Sequence, residues 1–222
     1  MSSIFQEAMG AGVRAPAPDD AAAVLGRARL RRGVRRARRD DLGASRPWWT
    51  VPFVQLGRLR NILVPDVGTD IPFVIENYPY TDPLGRETVT FVRSYDFLGH
   101  ARRFDATMIR SERGVVDYLG THQHLAVDLD LHVDDEGGLV LTTGAQRFYE
   151  GPIAFRFPMI GSGRAVLRER YDEEAQVFQV DLEVRNHRFG FLFGYRGWFT
   201  CEWVPADDAP ARLKPRRHER RT

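Results

Sequence analysis

T-H-Q-H-L-A-V-D-L-D-L-H-V-D-D, Thr121–Asp135, is the stretch on which the fold turns. Leu125, Val127, Leu129, Leu131 and Val133 are apolar at odd positions, and Asp128, Asp130, His132 and Asp134 are polar at even ones. A period of two belongs to a β-strand, whose successive side chains point to opposite faces. One apolar and one polar face describe a half-buried strand, and the D-D-E-G-G that follows (134–138) is a hairpin turn. His122 and His124 precede the clean alternation. Two imidazoles two residues apart on a strand face the same way, so this H-x-H is a candidate metal or acid–base pair. A metal would need a further ligand from a neighbouring strand, such as Glu150 or His100. The plainer alternative is a surface or hydrogen-bonded histidine pair.

The same period extends in both directions. Val89, Phe91, Tyr95 and Phe97 alternate with Thr88, Thr90, Ser94 and Asp96. Phe104, Ala106 and Met108 alternate with Arg103, Asp105 and Thr107, and Phe178, Val180, Leu182 and Val184 with Val177, Gln179, Asp181 and Glu183. Turn residues separate these runs at 81–86, 111–114, 134–138 and 171–175. Strands joined by short turns pair antiparallel, and a long sheet with one apolar face curls or closes. The expected class is mainly β (α+β): a strongly curved antiparallel sheet or barrel of about nine to ten strands. Two helices accompany it. Residues 1–10 form a short N-terminal helix, with Ser3 and Gln6 as a capping box and Gly10 as its stop. A second helix near 51–64 is capped by Thr50, carries Pro52 in its first turn, and plugs an end or crosses the concave face.

Composition fits one domain with tails. The 222 residues are 43% hydrophobic, which supports a sizeable core. No apolar run reaches the roughly 20 residues a membrane helix needs, so no membrane span is expected. Residues 1–10 lack the basic start and apolar centre of a signal peptide, and the cytoplasm is the simplest compartment. The single Cys201 excludes an intrachain disulfide, and its apolar parity makes it a small core residue. Charge is uneven. Residues 11–46 carry ten Arg against four Asp and 205–222 carry six basic against three acidic residues, so 47–204 is net acidic. The basic pI therefore comes from the ends, and no nucleic-acid partner is expected. The chain divides into 1–10, an atypical Arg/Ala-rich segment at 11–46, one β domain at 47–204, and a charged disordered tail at 205–222.

Segment 11–46 has no aromatic residue and no apolar period. It reads as a disordered basic linker, as an Arg-rich arm for an acidic partner, or as a stretch translated out of frame. Codons can be chosen for Val13–Arg29 whose one-base shift gives a peptide beginning F-A-R-L-H-P, with the spaced apolar residues of a core-facing helix. The coding DNA across codons 10–47 decides the last reading.

R-P-W-W-T-V-P-F (46–53), L-G-R-L-R-N-I-L (56–63), I-P-F-V-I-E-N-Y-P-Y (71–80), R-F-Y-E-G-P (147–152) and F-L-F-G-Y-R-G-W-F (191–199) resemble a bacterial family catalogued as domain of unknown function 4166. The resemblance covers most of 47–204 and the first ten residues. It implies an opening helix continued by an F-A-R-L-H-P-like stretch, from which this chain departs where the shifted frame would restore it. Some relatives resemble this domain fused to a saccharopine-dehydrogenase-like oxidoreductase, which implies an oxidoreductase partner. The resemblance carries over no catalytic residue.

Two further groups are candidate sites. Phe189, Phe191, Phe193 and Tyr195 share one parity with Phe199 and Trp203, with Gly190, Gly194 and Gly197 among them. They read as ordinary core or as the wall of an apolar pocket. Tyr149, Glu150 and Arg196 are polar residues in apolar surroundings. They form a structural ion pair at a barrel end, orient a ligand, or serve proton transfer. No Gly-rich nucleotide loop and no strand–helix alternation is present, so no cofactor is expected. The expected function is non-enzymatic binding of a small apolar or amphipathic ligand in the β concavity. The alternatives are an isomerase- or hydrolase-type enzyme using Glu150 with His122 or His124, and an interaction module for an oxidoreductase.

Overall fold

The structure, a computed structural model, describes residues 71–97, 99–111, 114–158, 162–203 and 211–221, together with the backbone of 28–36. The helices expected at 1–10 and 51–64 lie outside the described residues. Within them the chain is mainly β, an antiparallel sheet of eleven strands. The strands are β1 (Ala28–Arg36), β2 (Ile71–Thr81), β3 (Glu87–Phe97), β4 (His100–Ser111), β5 (Gly114–Leu119), β6 (Leu125–Val133), β7 (Leu139–Glu150), β8 (Ile153–Arg156), β9 (Arg164–Asp172), β10 (Val177–Asn186) and β11 (Gly190–Trp203). Eleven exceeds the nine or ten expected. The periodicity of residues 28–36 gives no strand signal, yet their backbone pairs with β2 on one side and β11 on the other. The sheet order is β6-β5-β4-β3-β2-β1-β11-β10-β9-β7-β8, and β6 also pairs with β7. β7 gives one edge to β6 and divides the other between β9, at Leu139–Thr142, and β8, at Arg147–Glu150.

The turns are held by short acidic or amide side chains that mimic a backbone turn. Asp82 Oδ1 accepts the amides of Leu84 and Arg86, both at 2.9 Å. Asp134 Oδ1 accepts those of Glu136 and Gly138, at 3.1 and 2.7 Å, so the D-D-E-G-G turn forms as expected. Asn186 Oδ1 does the same for Arg188 and Phe189 between β10 and β11. Gly194 is required where it stands, because a Cβ there would lie 2.6 Å from the Leu182 carbonyl oxygen.

The two faces of the sheet are covered differently. The inner face carries two apolar clusters, one around Val89, Phe91, Ala106, Met108 and Val115, the other around Ile71, Phe73, Tyr95, Phe178 and Phe199. Leu167 packs against both. The outer face carries a third cluster of Ile109, Val116, Tyr118, Ala126 and Tyr149. Residues 211–221 lie along this outer face, where the sequence predicts a disordered tail. Leu213 is 2% exposed, Lys214 sits over the Tyr80 ring, the Arg216 amide donates to the Thr121 carbonyl, and the Tyr118 hydroxyl donates to the Arg221 carbonyl. Glu219 is the clasp: it accepts from the guanidiniums of Arg217 and Arg221, and its amide donates to Gln123 at 2.6 Å. Charge pattern alone misjudges this segment, because one Leu, one buried Pro215 and one acid fix a run that is otherwise basic.

Candidate functional site in the sheet interior

The inner face is apolar except for a few charged and amide side chains at apolar parity. Arg93 takes the position between Phe91 and Tyr95, Asp117 lies between Val115 and Leu119, and Glu169 lies between Leu167 and Tyr171. Asn77 is opposite Phe91 on β2, and Asp117 is opposite Met108 on β4. The Arg93 guanidinium carbon lies over two aromatic rings, 5.4 Å from the Phe91 ring centre and 4.9 Å from that of Phe104. Its Nη1 is buried without a hydrogen-bond partner, as are Asn77 Oδ1 and Asp117 Oδ1. Buried polar atoms are nearly always paired, and each exception calls for a physical reason.

Electrostatics marks the same group. Asp117 is 8% exposed, and burial pushes its carboxyl up from 3.8 to about 6 against the pull of Arg93. Glu169 is driven the same way, from 4.5 to about 7, again with Arg93 opposing. One cation thus acts on two carboxyls that desolvation moves toward their neutral forms. Several inward apolar side chains around them are only partly buried: Leu119, Leu129, Leu131 and Leu167 in one cluster, Ile75, Phe104 and Tyr195 in the other. A fully packed interior would bury them. The sequence signal for this group is a charged residue on the apolar parity, and it escapes notice when only apolar residues are counted.

Of the residues singled out from sequence, the structure brings His122, His124 and Glu150 together. His124 and Glu150 come together: His124 Nδ1 lies 2.8 Å from Glu150 Oε2, 3.0 Å from the Tyr149 carbonyl and 3.1 Å from Arg217 Nη1. His124 Nε2 is buried without a hydrogen-bond partner. His122 stacks on His124, with ring centres 5.4 Å apart and planes 7° apart, and its Nδ1 is 2.9 Å from Thr121 Oγ1. Phe148 stacks on His124 as well, with ring centres 5.9 Å apart. No group of three His, Cys, Asp or Glu side chains among the described residues is arranged to hold a metal ion. Tyr149 belongs to the cluster of Ile109, Val116, Tyr118 and Ala126, under the Arg221 guanidinium, and not to the two clusters of the other face. Arg196 is on the outer face as well, paired with Asp181 at 2.6 Å, where it lines an open groove of about 950 Å³ with Arg168, Gln179 and Trp198. Tyr195 packs against the inner cluster. Phe189 sits in the β10–β11 turn beside Arg188, Phe191 lies against Gly194, and the Phe193 side chain lies outside the described residues.

Asp128 and Asp130 bear on the stretch at 121–135. Asp130 and His132 face water, as the alternation predicts. Asp128 instead pairs with both terminal nitrogens of Arg147. Among the described residues no helix is long and apolar enough to cross a membrane.

Two comparisons with known proteins give matches. The chain is 28% identical over 151 residues to the protein named "Uncharacterized protein YndH" of Bacillus subtilis (strain 168), an alignment covering 67% of this chain and 74% of that one. No solved structure matches. The model of the family described as "Domain of unknown function (DUF4166)" matches residues 37–199, and the chain belongs to that family.

Proposed function

We propose that the eleven-stranded sheet closes into a barrel and holds a small amphipathic ligand in its interior. Closure is supported by the ladders: β1 joins β2 to β11, and β6 pairs with β7, so the pairing runs from β1 through β7, β9, β10 and β11 back to β1. The observation that carries the binding reading is the set of three inward polar atoms without protein partners, Asn77 Oδ1, Arg93 Nη1 and Asp117 Oδ1, amid apolar side chains that are themselves incompletely buried. An unsatisfied buried polar atom costs about 1–3 kcal/mol, and the polar end of a ligand relieves that cost while its apolar part covers Leu119, Leu131 and Leu167. A neutral fluorescent probe such as 1-aminoanthracene tests it. The expected result is saturable, blue-shifted emission that weakens at least tenfold in Leu167→Trp, which fills the interior. Equal emission from both proteins, or none from either, rules the reading out.

A second reading has its own observation. Nδ1 of His124 carries the proton when it donates to Glu150 or the Tyr149 carbonyl, which leaves Nε2 as a bare base. This is the arrangement of an imidazole oriented by a carboxylate for hydrolysis. It predicts that turnover of a short-chain p-nitrophenyl ester is lost in His124→Gln; turnover unchanged by that substitution, or absent from the native chain, removes the reading.

A further inference from the structure

We propose that the polar end of the interior ligand is a carboxylate, received by the unpartnered Nη1 of Arg93. This rests on the interior-binding reading above. The argument is an inventory of donors and acceptors. Arg93 Nη1 is a donor with no acceptor, and a guanidinium has no other hydrogen-bonding capacity. Its Cζ lies over the Phe91 and Phe104 rings, and the N–H left without an acceptor is of the kind that recognises a carboxylate. Arg93 acts on both Asp117 and Glu169, yet neither makes an ion pair with it. Its Nη1 is accordingly left a buried donor without an acceptor.

The charge balance distinguishes head groups. Were Asp117 and Glu169 both ionised, the three groups would sum to one negative charge and would favour an ammonium. Burial works against that state, moving Asp117 to about 6 and Glu169 to about 7. In their neutral forms each offers one O–H donor and no longer repels an incoming carboxylate. An incoming carboxylate raises both groups further by like-charge repulsion, so binding takes up protons. Affinity for the anion therefore increases as pH falls toward 6. A hydroxyl head satisfies Arg93 with one weaker bond and has no such dependence.

The test uses three ten-carbon probes that differ only in the head: decanoate, decanol and decylamine. Their affinities are measured by calorimetry with the full chain at pH 8 and pH 6. At pH 6 decanoate is expected to bind at least tenfold more tightly than either of the others, and to weaken about threefold or more from pH 6 to pH 8. Arg93→Met is expected to abolish the decanoate preference while leaving decanol affinity within about twofold. Equal affinities for the three heads at pH 6, or preference for decylamine at that pH, overturn the carboxylate assignment and leave the interior-binding reading standing. Binding of none of the three defeats the interior-binding reading itself and this inference with it. Should Arg93→Met fail to fold, the ranking of heads on the native chain still decides.

Discussion

Leu213→Asp is expected to release residues 211–221 from the sheet and to lower stability by about 2–4 kcal/mol, in the range of large-to-small changes at buried leucines. Leu213 is 2% exposed and Pro215 is buried beside it. A carboxylate there must be desolvated without a partner or carried out into water. The second outcome is the less costly one, because the segment can detach locally while the strands remain paired. The loss is therefore capped by the docking free energy of the segment itself. Detachment also uncovers the Tyr118 hydroxyl and the Gln123 side chain, both 0% exposed as residues when the segment is docked. Denaturant unfolding gives the magnitude. Trypsin gives the location, since the segment carries Arg212, Lys214, Arg216, Arg217, Arg220 and Arg221. Cleavage there should be slow in the native chain and at least tenfold faster in the variant. Rapid cleavage of the native chain at these positions would mean that the segment is not docked.

The second large effect is on pH. The folded-state values of Asp117 and Glu169 are raised, so the folded chain binds protons that the unfolded chain does not between about pH 4 and pH 7. Stability consequently rises as pH falls through that window. Raising the Asp117 carboxyl from 3.8 to about 6 corresponds to roughly 3 kcal/mol, and the Glu169 share is smaller because it keeps some contact with solvent. Below about pH 4.5 the opposite group takes over. Glu219 is held down to about 2 by the Arg221 and Arg217 guanidiniums, and its contribution is lost as it protonates. The stability profile should peak near pH 4.5–5 and decline on both sides. Asp117→Asn with Glu169→Gln should flatten the alkaline limb and be at least as stable as the native chain at pH 8. A double variant that keeps the alkaline limb would show that these two carboxyls do not cause it.

How much was legible follows from which signals are local. The alternation in Leu125–Val133 and its D-D-E-G-G turn forms β6 and the turn to β7, with Asp130 and His132 exposed. Such patterns depend only on period and turn chemistry. His124 and Glu150 meet because β6 and β7 pair at this end, with Leu125 opposite Phe148. What escaped depended on what packs where. The outward residues Thr88, Thr90, Asp105 and Thr107 are all buried, although their polarity reads as solvent-facing, because the outer face is also covered. Tyr149 and Arg196 stand on that same side, where strand parity after the Gly144 irregularity in β7 and along β11 takes them away from the interior. Arg93, Asp117 and Glu169 carry charge at apolar parity, so the alternation alone does not mark them.

The measurement closest to the central claim is methyl NMR during titration with decanoate. Val89, Val115, Leu131 and Leu167 report the interior, and Val92, Ile109 and Val116 report the outer face of the same strands or their neighbours. Interior binding predicts that the first set shifts with one common dissociation constant while the second set stays within the spread of untouched methyls. Shifts confined to the outer set, or spread evenly over both, would contradict a ligand seated within the sheet.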